Sequence, residues 1–377
     1  MKKILFDLTT TQPDGNIKRH GGGKYGEIVL KQIISRKLPI YCCYDSSLWF
    51  NPEIKEIISK NGITLFDLSQ HSLSDIVLKE NISLVYIPTN VNKIDLASIK
   101  CPVLGTIHGV RGLENPIDYY EMFYRPYKNI LRYLKKRIFT KQYLAKREKF
   151  VRTALNSPNF SFVTVSNHSA NAFISYFPNY KKKIKVFYSP STICYESSEI
   201  KYEEQYFLLV SGNRALKNNL RAIKALDRLF TYGFAKGFRV KVTGVTSADS
   251  YLYRIKNIER FDFVGFVDEK ELDQLYHDAY CFIYPTLNEG FGYPPLEAMH
   301  YSVPVLTSPF SAIPEICGGN VIYFNPFSVE EIMNRILMIL DKDIHDKYST
   351  LSKERYVLIT NRQNEDLDRL IDYIYNV

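Results

Sequence analysis

Glu289-Gly-Phe-Gly-Tyr-Pro-Pro-Leu-Glu297 decides how this chain is read. It follows an apolar run, Tyr280-Cys-Phe-Ile-Tyr-Pro285, whose length and aromatic content predict a strand. It leads into Pro294-Pro-Leu-Glu-Ala-Met-His300, where early prolines suit the first turn of a helix, which needs no N–H partner. Glu289 is therefore expected at a strand's C-terminal end, on a glycine-containing loop that feeds a helix N-terminus. Open α/β sheets bind ligands at such places, and free backbone N–H groups there collect anions. Glu297 is expected within the helix, facing the same crevice. Two carboxylates repel a bare phosphate. They suit a ligand that carries hydroxyls as well as phosphate, or else they merely cap and solubilise a helix.

Outward from this stretch, short apolar runs alternate with amphipathic ones to both ends of the chain. Expected strands are Ile4–Leu8, Ile40–Tyr44, Ile63–Phe66, Ser83–Ile87, Val103–Ile107 and Phe160–Val165. A second series follows: Tyr206–Ser211, Phe238–Thr243, Phe261–Val264, Cys281–Tyr284, Val303–Leu306 and Val321–Phe324. Helical patterns such as Gly26–Ile34 and Asn167–Phe177 lie between, so right-handed βαβ units and parallel sheets are implied. Two series over 377 residues mean two doubly wound domains, expected at 1–190 and 200–360. The serine-rich Ser189–Ser198 is the expected linker. The tail from Val329 to Val377 reads as two or three helices.

Composition is that of a globular protein, 45% hydrophobic and 24% charged, which excludes disorder. Six cysteines show no C-x-x-C, and most fall in apolar runs, so reduced core thiols are expected. Asp7 ends the first apolar run too early for a signal peptide. With no apolar stretch long enough to span a membrane, the expected location is the cytoplasm or the inner face of the plasma membrane.

Four further features carry chemistry. Gly21-Gly-Gly23 ends a polar loop after the first strand, and Gly22 and Gly23 would let backbone approach a ligand closely, unless the loop is only a loop. Ser211-Gly-Asn-Arg-Ala-Leu-Lys217 sets Arg214 and Lys217 at a strand–helix junction, as fixed cations or as solvated helix-start charges. His108 closes another strand beside Gly109, facing a ligand or serving structure. Asp341-Lys-Asp343 and Asp366-Leu-Asp368 match a metal-binding D-x-D, but both fall in expected helices as solvated faces, so no metal and no cofactor is expected.

From Arg125 to Arg152 there are eleven Lys and Arg against Glu148 alone, in a chain whose net charge is +9. Tyr127, Ile130, Leu131, Leu134 and Ile138 follow a helical period within it. A basic amphipathic helix at 125–152 is a candidate binder of anionic membrane, or a plain solvated helix. No nucleic-acid-binding motif accompanies the charge, so nucleic acid is not an expected partner.

Glu-x7-Glu, followed by Ser302-Val-Pro-Val-Leu-Thr-Ser308 and Ile313-Pro-Glu315, resembles the donor site of the retaining GT-B glycosyltransferases of the GT4 type, the glycosyl transferases group 1 family. The likeness runs from about Phe261 to Pro326. It implies two Rossmann-like domains facing each other across a cleft, with a last helix, 361–377, packing back on the first domain. It implies a nucleotide-sugar donor, UDP- or GDP-linked, and a glycan or lipid-linked acceptor held by the first domain. Glu289 would contact sugar hydroxyls and stabilise the reacting centre, and Glu297 would bind the ribose. Phe291, Gly292 and Tyr293 would hold phosphate or sugar through backbone N–H groups, and Gly265, Phe266 and Val267 would border the base. Arg214 and Lys217 would balance the diphosphate, although the spacing from Gly212 to Arg214 departs slightly from the family form. His108 would hydrogen-bond the donor sugar or share in catalysis, with Gly22 and Gly23 across from the diphosphate. Bacterial surface-polysaccharide or lipopolysaccharide synthesis fits these expectations. Alternatives are an epimerase or phosphorylase of the same fold, or a non-catalytic membrane scaffold.

Overall fold

The computed structural model describes residues 2–13, 21–89, 91, 94–193 and 205–377. Two compact units divide the chain: Met1–Val110 with Ala145–Thr192 and Thr360–Val377, and Arg111–Leu144 with Ile193–Ile359.

The first unit holds β1 (Ile4–Asp7), α1 (Gly21–Ser35), β2 (Tyr41–Tyr44), α2 (Pro52–Lys60), β3 (Leu65–Asp67), α3 (Leu73–Lys79), β4 (Leu84–Ile87) and β5 (Val103–Ile107). The chain then runs through α4 (Arg111–Glu114), α5 (Lys128–Ile138) and α6 (Thr140–Leu155) before β6 (Phe160–Thr164), α7 (Asn167–Tyr176) and β7 (Lys185–Val186). The sheet order is β3-β2-β1-β4-β5-β6-β7, parallel throughout. β1 and β4 are buried at every position, because helices on both faces of a parallel sheet leave neither face to water.

Gly21, Gly22 and Gly23 are not loop residues. They form the first turn of α1, while His20 lies outside the described residues. The close approach in this region belongs to Gly26, where a Cβ would stand 2.5 Å from Thr11 Cγ2 and 3.0 Å from Pro88 Cγ.

The second unit holds β8 (Tyr206–Leu209), α8 (Asn219–Thr231), β9 (Arg239–Thr243), β10 (Phe261–Gly265), α9 (Glu269–His277), β11 (Cys281–Tyr284), α10 (Tyr293–His300), β12 (Val305–Thr307), α11 (Ile313–Cys317), β13 (Ile322–Tyr323) and α12 (Val329–Ile339). Its sheet runs β10-β9-β8-β11-β12-β13, again all parallel. Strand order reverses between β8 and β11, the position at which such sheets bind ligands beyond their carboxyl ends. α8 turns Leu220, Ile223, Leu226 and Phe230 into the core against Phe207, Val240 and Ile283, the spacing of one helix face.

Three expectations need correction. Residues 111–144, assigned to the first domain by sequence, belong to the second unit. Their Tyr120 and Tyr124 enter its core, and a buried Asp118–Arg221 pair ties them to α8. The basic segment is two helices, not one, because α5 ends at Ile138 and α6 begins at Thr140. The tail is two helices, as expected, α12 and α13 (Lys342–Asn376), but α13 runs through 361, where a separate last helix was expected to begin. The unit boundary falls within α13, after Ile359.

Both D-x-D pairs have structural occupations. Asp341 Oδ1 accepts from the backbone N–H of Asp343 and Ile344 at the start of α13. Asp366, expected on a solvated face, is 1% exposed. It accepts from Tyr188 N at 2.9 Å and pairs with Arg369. Asp368 is held by Gln32 at 3.0 Å. Among the described residues no cluster of three or more His, Cys, Asp and Glu is placed to hold a metal. Cys42, Cys43, Cys101, Cys281 and Cys317 are buried and unbridged; Cys194 and most of the expected linker lie outside the described residues.

Candidate active site

The turn after β8 and the loop after β11 meet at the reversal of strand order in the second sheet. Ser211 (φ 57°) and Asn218 (φ 60°) take left-handed backbone, which folds residues 211–218 into a compact turn ending in a short 3-10 segment, Ala215–Lys217. Asn218 Nδ2 donates to Pro285 O (3.0 Å) and Pro326 O (2.7 Å), and Leu287 N donates to Leu216 O (2.9 Å). These bonds lock the turn to the loop that carries Glu289.

The result is a buried ion pair between Lys217 and Glu289, which are 5% and 7% exposed. Lys217 Nζ donates to Glu289 Oε1 and, at 2.5 Å, to the Tyr284 hydroxyl. Tyr284 OH (2.5 Å) and Thr286 Oγ1 (3.1 Å) donate to the same carboxylate oxygen. Glu289 N donates to Ser311 Oγ at 2.6 Å, fixing the backbone as well. Burial alone would raise the Glu289 pKa, but the charges of Lys217 and Arg111 and the hydrogen bonds from Lys217 and Tyr284 outweigh it and hold it at about 2. Burial lowers the Lys217 pKa, with Glu289 opposing and Arg214 and Arg111 assisting. The carboxylate is thus ionised at neutral pH. It can accept hydrogen bonds or face a developing positive charge, and it cannot act as a general acid.

Arg214 is exposed at the mouth of this turn, within electrostatic reach of Lys217 and Tyr284. Gly292 (φ 127°) precedes α10 in a conformation few side chains tolerate, and a Cβ there would stand 3.2 Å from Ile313 Cδ1. Phe291 is buried and packs on Tyr293 at 5.5 Å between centroids. Glu297, on α10, lies beside the buried Tyr276 hydroxyl, whose pKa, already raised by burial, it raises further. Gly265 ends β10, Phe266 is 77% exposed, and Val267 is half-buried. Prolines at 294 and 295 leave the first turn of α10 poorer in N–H donors than a typical anion-binding helix start.

His108 belongs to the first unit, where its Nε2 lies 3.2 Å from Pro88 O and its ring meets Tyr25 edge-on at 4.7 Å. Tyr25, Tyr86 and Thr106 share a buried hydroxyl network beneath it. Gly22 and Gly23 belong to that unit also.

Sequence reading missed Tyr284, Thr286, Ser311, Asn218 and Arg111. Tyr284 and Thr286 flank Pro285 at a strand's carboxyl end, a position that marked them as candidates. Arg111 follows His108 by three residues at the end of β5, which was a weaker signal of the same kind.

Residues 195–357 match the family described as Glycosyl transferases group 1. That segment is similar to the group 1 glycosyltransferases. Glu289, Lys217 and Glu297 all lie inside it. An 81-residue stretch is 40% identical to the O-antigen chain mannosyltransferase B of Escherichia coli, covering 22% of this chain and 21% of that protein. Another, of 130 residues, is 34% identical to the O-antigen chain mannosyltransferase RfbU of Salmonella typhimurium, covering 33% and 36%. The chain spans between 10% and 36% of the length of the curated relatives it matches. Across its whole length it superimposes on Anabaena HepE in complex with UDP and glucose, with a TM-score of 0.65 and 16% identity over 100% of both chains. The two units thus have the GT-B fold, α/β with two parallel sheets.

Proposed function

We propose that the chain is a retaining hexosyltransferase, moving a sugar from a UDP- or GDP-linked donor to a glycan or lipid-linked acceptor in bacterial surface-polysaccharide or lipopolysaccharide assembly. The observation that carries this reading is the buried Lys217–Glu289 pair, with Arg214 beside it, at the strand-order reversal of the segment similar to the group 1 glycosyltransferases. Glu289, held ionised, accepts from donor-sugar hydroxyls and opposes positive charge at the anomeric carbon. Lys217 and Arg214 oppose the negative charge that builds on the departing diphosphate, an interaction stronger in the transition state than before it. Glu297 contacts the ribose, and Phe266 with its neighbours borders the base. The departing phosphate takes the acceptor's proton, since Glu289, with a pKa of about 2, is too weak a base to hold it. No step requires a metal or a cofactor. The relatives named as mannosyltransferases support a hexose, and the UDP bound by HepE supports a nucleotide-sugar.

The test is thermal shift against UDP-, GDP-, ADP- and TDP-sugars, with Glu297→Ala alongside. Ligand at 100 times its dissociation constant stabilises by about 2.7 kcal/mol. A shift with one base, reduced in the variant, is expected. Silence across the panel sinks the reading and favours a non-catalytic scaffold; turnover that requires inorganic phosphate favours a phosphorylase.

The proposal extends to an anionic membrane surface as a partner. α5 exposes Leu131 (71%) and Ile138 (70%), with Tyr127 and Leu134 on the same stripe, flanked by exposed Lys128, Arg132, Lys135 and Arg137. Among the described residues no helix is long and apolar enough to cross a membrane. A helix of this kind lies in the interface, and each cation there adds about 1 kcal/mol. Flotation with phosphatidylglycerol vesicles at low salt is expected to carry the wild type and to leave Leu131→Glu/Ile138→Glu behind. Wild type that stays with the pellet refutes the membrane partner.

A further inference from the structure

The charged surroundings of Glu289 extend beyond the matched segment. α4 is a single turn, so Arg111 and Glu114 (i, i+3) share its face. Glu114 Oε2 accepts from Asn288 Nδ2 at 3.4 Å, directly beside Glu289. That contact turns the same face, and Arg111 with it, toward the loop after β11. The half-buried Arg111 acts on both members of the Lys217–Glu289 pair. Among the described residues no ion pair engages its guanidinium. Glu289's charge is taken up by Lys217, so Arg111 and Arg214 remain as cations for an anionic ligand.

The segment that follows Arg111 is anchored at two points. Asp118 forms a two-pronged bond with the buried Arg221 (2.5 and 2.8 Å), and Tyr124 OH accepts from Leu220 N at 3.1 Å. Both anchors lie in the first turn of α8, which begins two residues after Lys217. The segment that carries Arg111 is therefore fastened to the helix that begins just after Lys217.

We infer that Arg111 binds the diphosphate of the donor, so that a residue outside the matched domain completes the site. This rests on the nucleotide-sugar reading above. A guanidinium fork suits two phosphate oxygens better than a point charge does. The substitution that isolates it is Arg111→Ala, with Arg111→Lys as a variant that keeps the charge and loses the fork. Circular dichroism establishes that both are folded, and titration calorimetry reads dissociation constants for UDP, GDP, UMP and GMP. For the diphosphate that the wild type binds, Arg111→Ala is expected to weaken binding at least about tenfold, with the monophosphate changed by less than about threefold and Arg111→Lys intermediate. Equal losses for mono- and diphosphate, or diphosphate affinity within about twofold of wild type, overturn the inference and leave the donor reading standing. Wild type that binds none of the four brings down the donor reading itself, and this inference with it.

Discussion

Lys217→Ala is expected to destabilise the second unit by about 3–5 kcal/mol, because it strands the Glu289 carboxylate in a buried site. Tyr284 and Thr286 still donate to that carboxylate, but no cation then offsets its lost hydration. Removing both charges, in Lys217→Met with Glu289→Gln, is expected to recover more than half of the loss; if the double variant is as unstable as the sum of the singles, the pair is not coupled. The carboxylate also sets a pH dependence. Its folded pKa of about 2 lies below its ordinary 4.5, so the unfolded chain takes up the proton first. The stabilisation is complete above pH 4.5 and is lost progressively as pH falls toward about 2. Urea unfolding at about pH 5 and about pH 3 measures it, and Glu289→Gln is expected to flatten the difference. Catalysis should suffer more than stability in that variant. Glutamine keeps the shape and loses the charge, so kcat is expected to fall roughly a hundredfold or more, the scale seen when a preorganised electrostatic group is removed. Wild-type kcat in Glu289→Gln denies the residue its role.

Strands such as Tyr206–Leu209 and Cys281–Tyr284 were legible because both their faces are buried, which writes them as unbroken apolar runs. Two-residue β7 carries no comparable signal. The glycines at 21–23 misled for a local reason: glycine weakens a helix without forbidding it, and packing of Tyr25, Val29 and Ile33 holds the turn they begin. Glu289 and Lys217 were each visible as members of a motif, but their bond was not. The expectation gave one to sugar hydroxyls and the other to phosphate, and nothing in residue spacing states that positions separated by 72 meet. The assignment of 111–144 failed on the same ground. Chain order set that segment beside β5, whereas its partners, Arg221 and Tyr251, lie about a hundred residues away or more in sequence. Local pattern records which face of an element is apolar; it does not record which distant element covers that face.

The Asp118–Arg221 bond that defeated that assignment is also where the second large effect is expected. Arg221 is 2% exposed, with its guanidinium 3.6 Å from the centre of the Tyr120 ring and its Nη1 donating to Asn218 Oδ1 at 2.7 Å. Among the described residues Asp118 is the only carboxylate paired with it, so Asp118→Ala leaves a buried cation without a counter-ion, at a cost of about 3–5 kcal/mol. At about 2–4 °C per kcal/mol for a unit of this size, thermal unfolding should begin roughly 10 °C earlier. The consequence reaches the site, because Asn218 is the residue that clamps the loops at Pro285 and Pro326. Diphosphate affinity is expected to fall with stability in Asp118→Ala and to recover in part with Asp118→Asn, which keeps an acceptor for the guanidinium. A melting temperature within a degree or so of wild type, together with unchanged diphosphate affinity, would mean that 111–144 is not fastened to α8 through this pair.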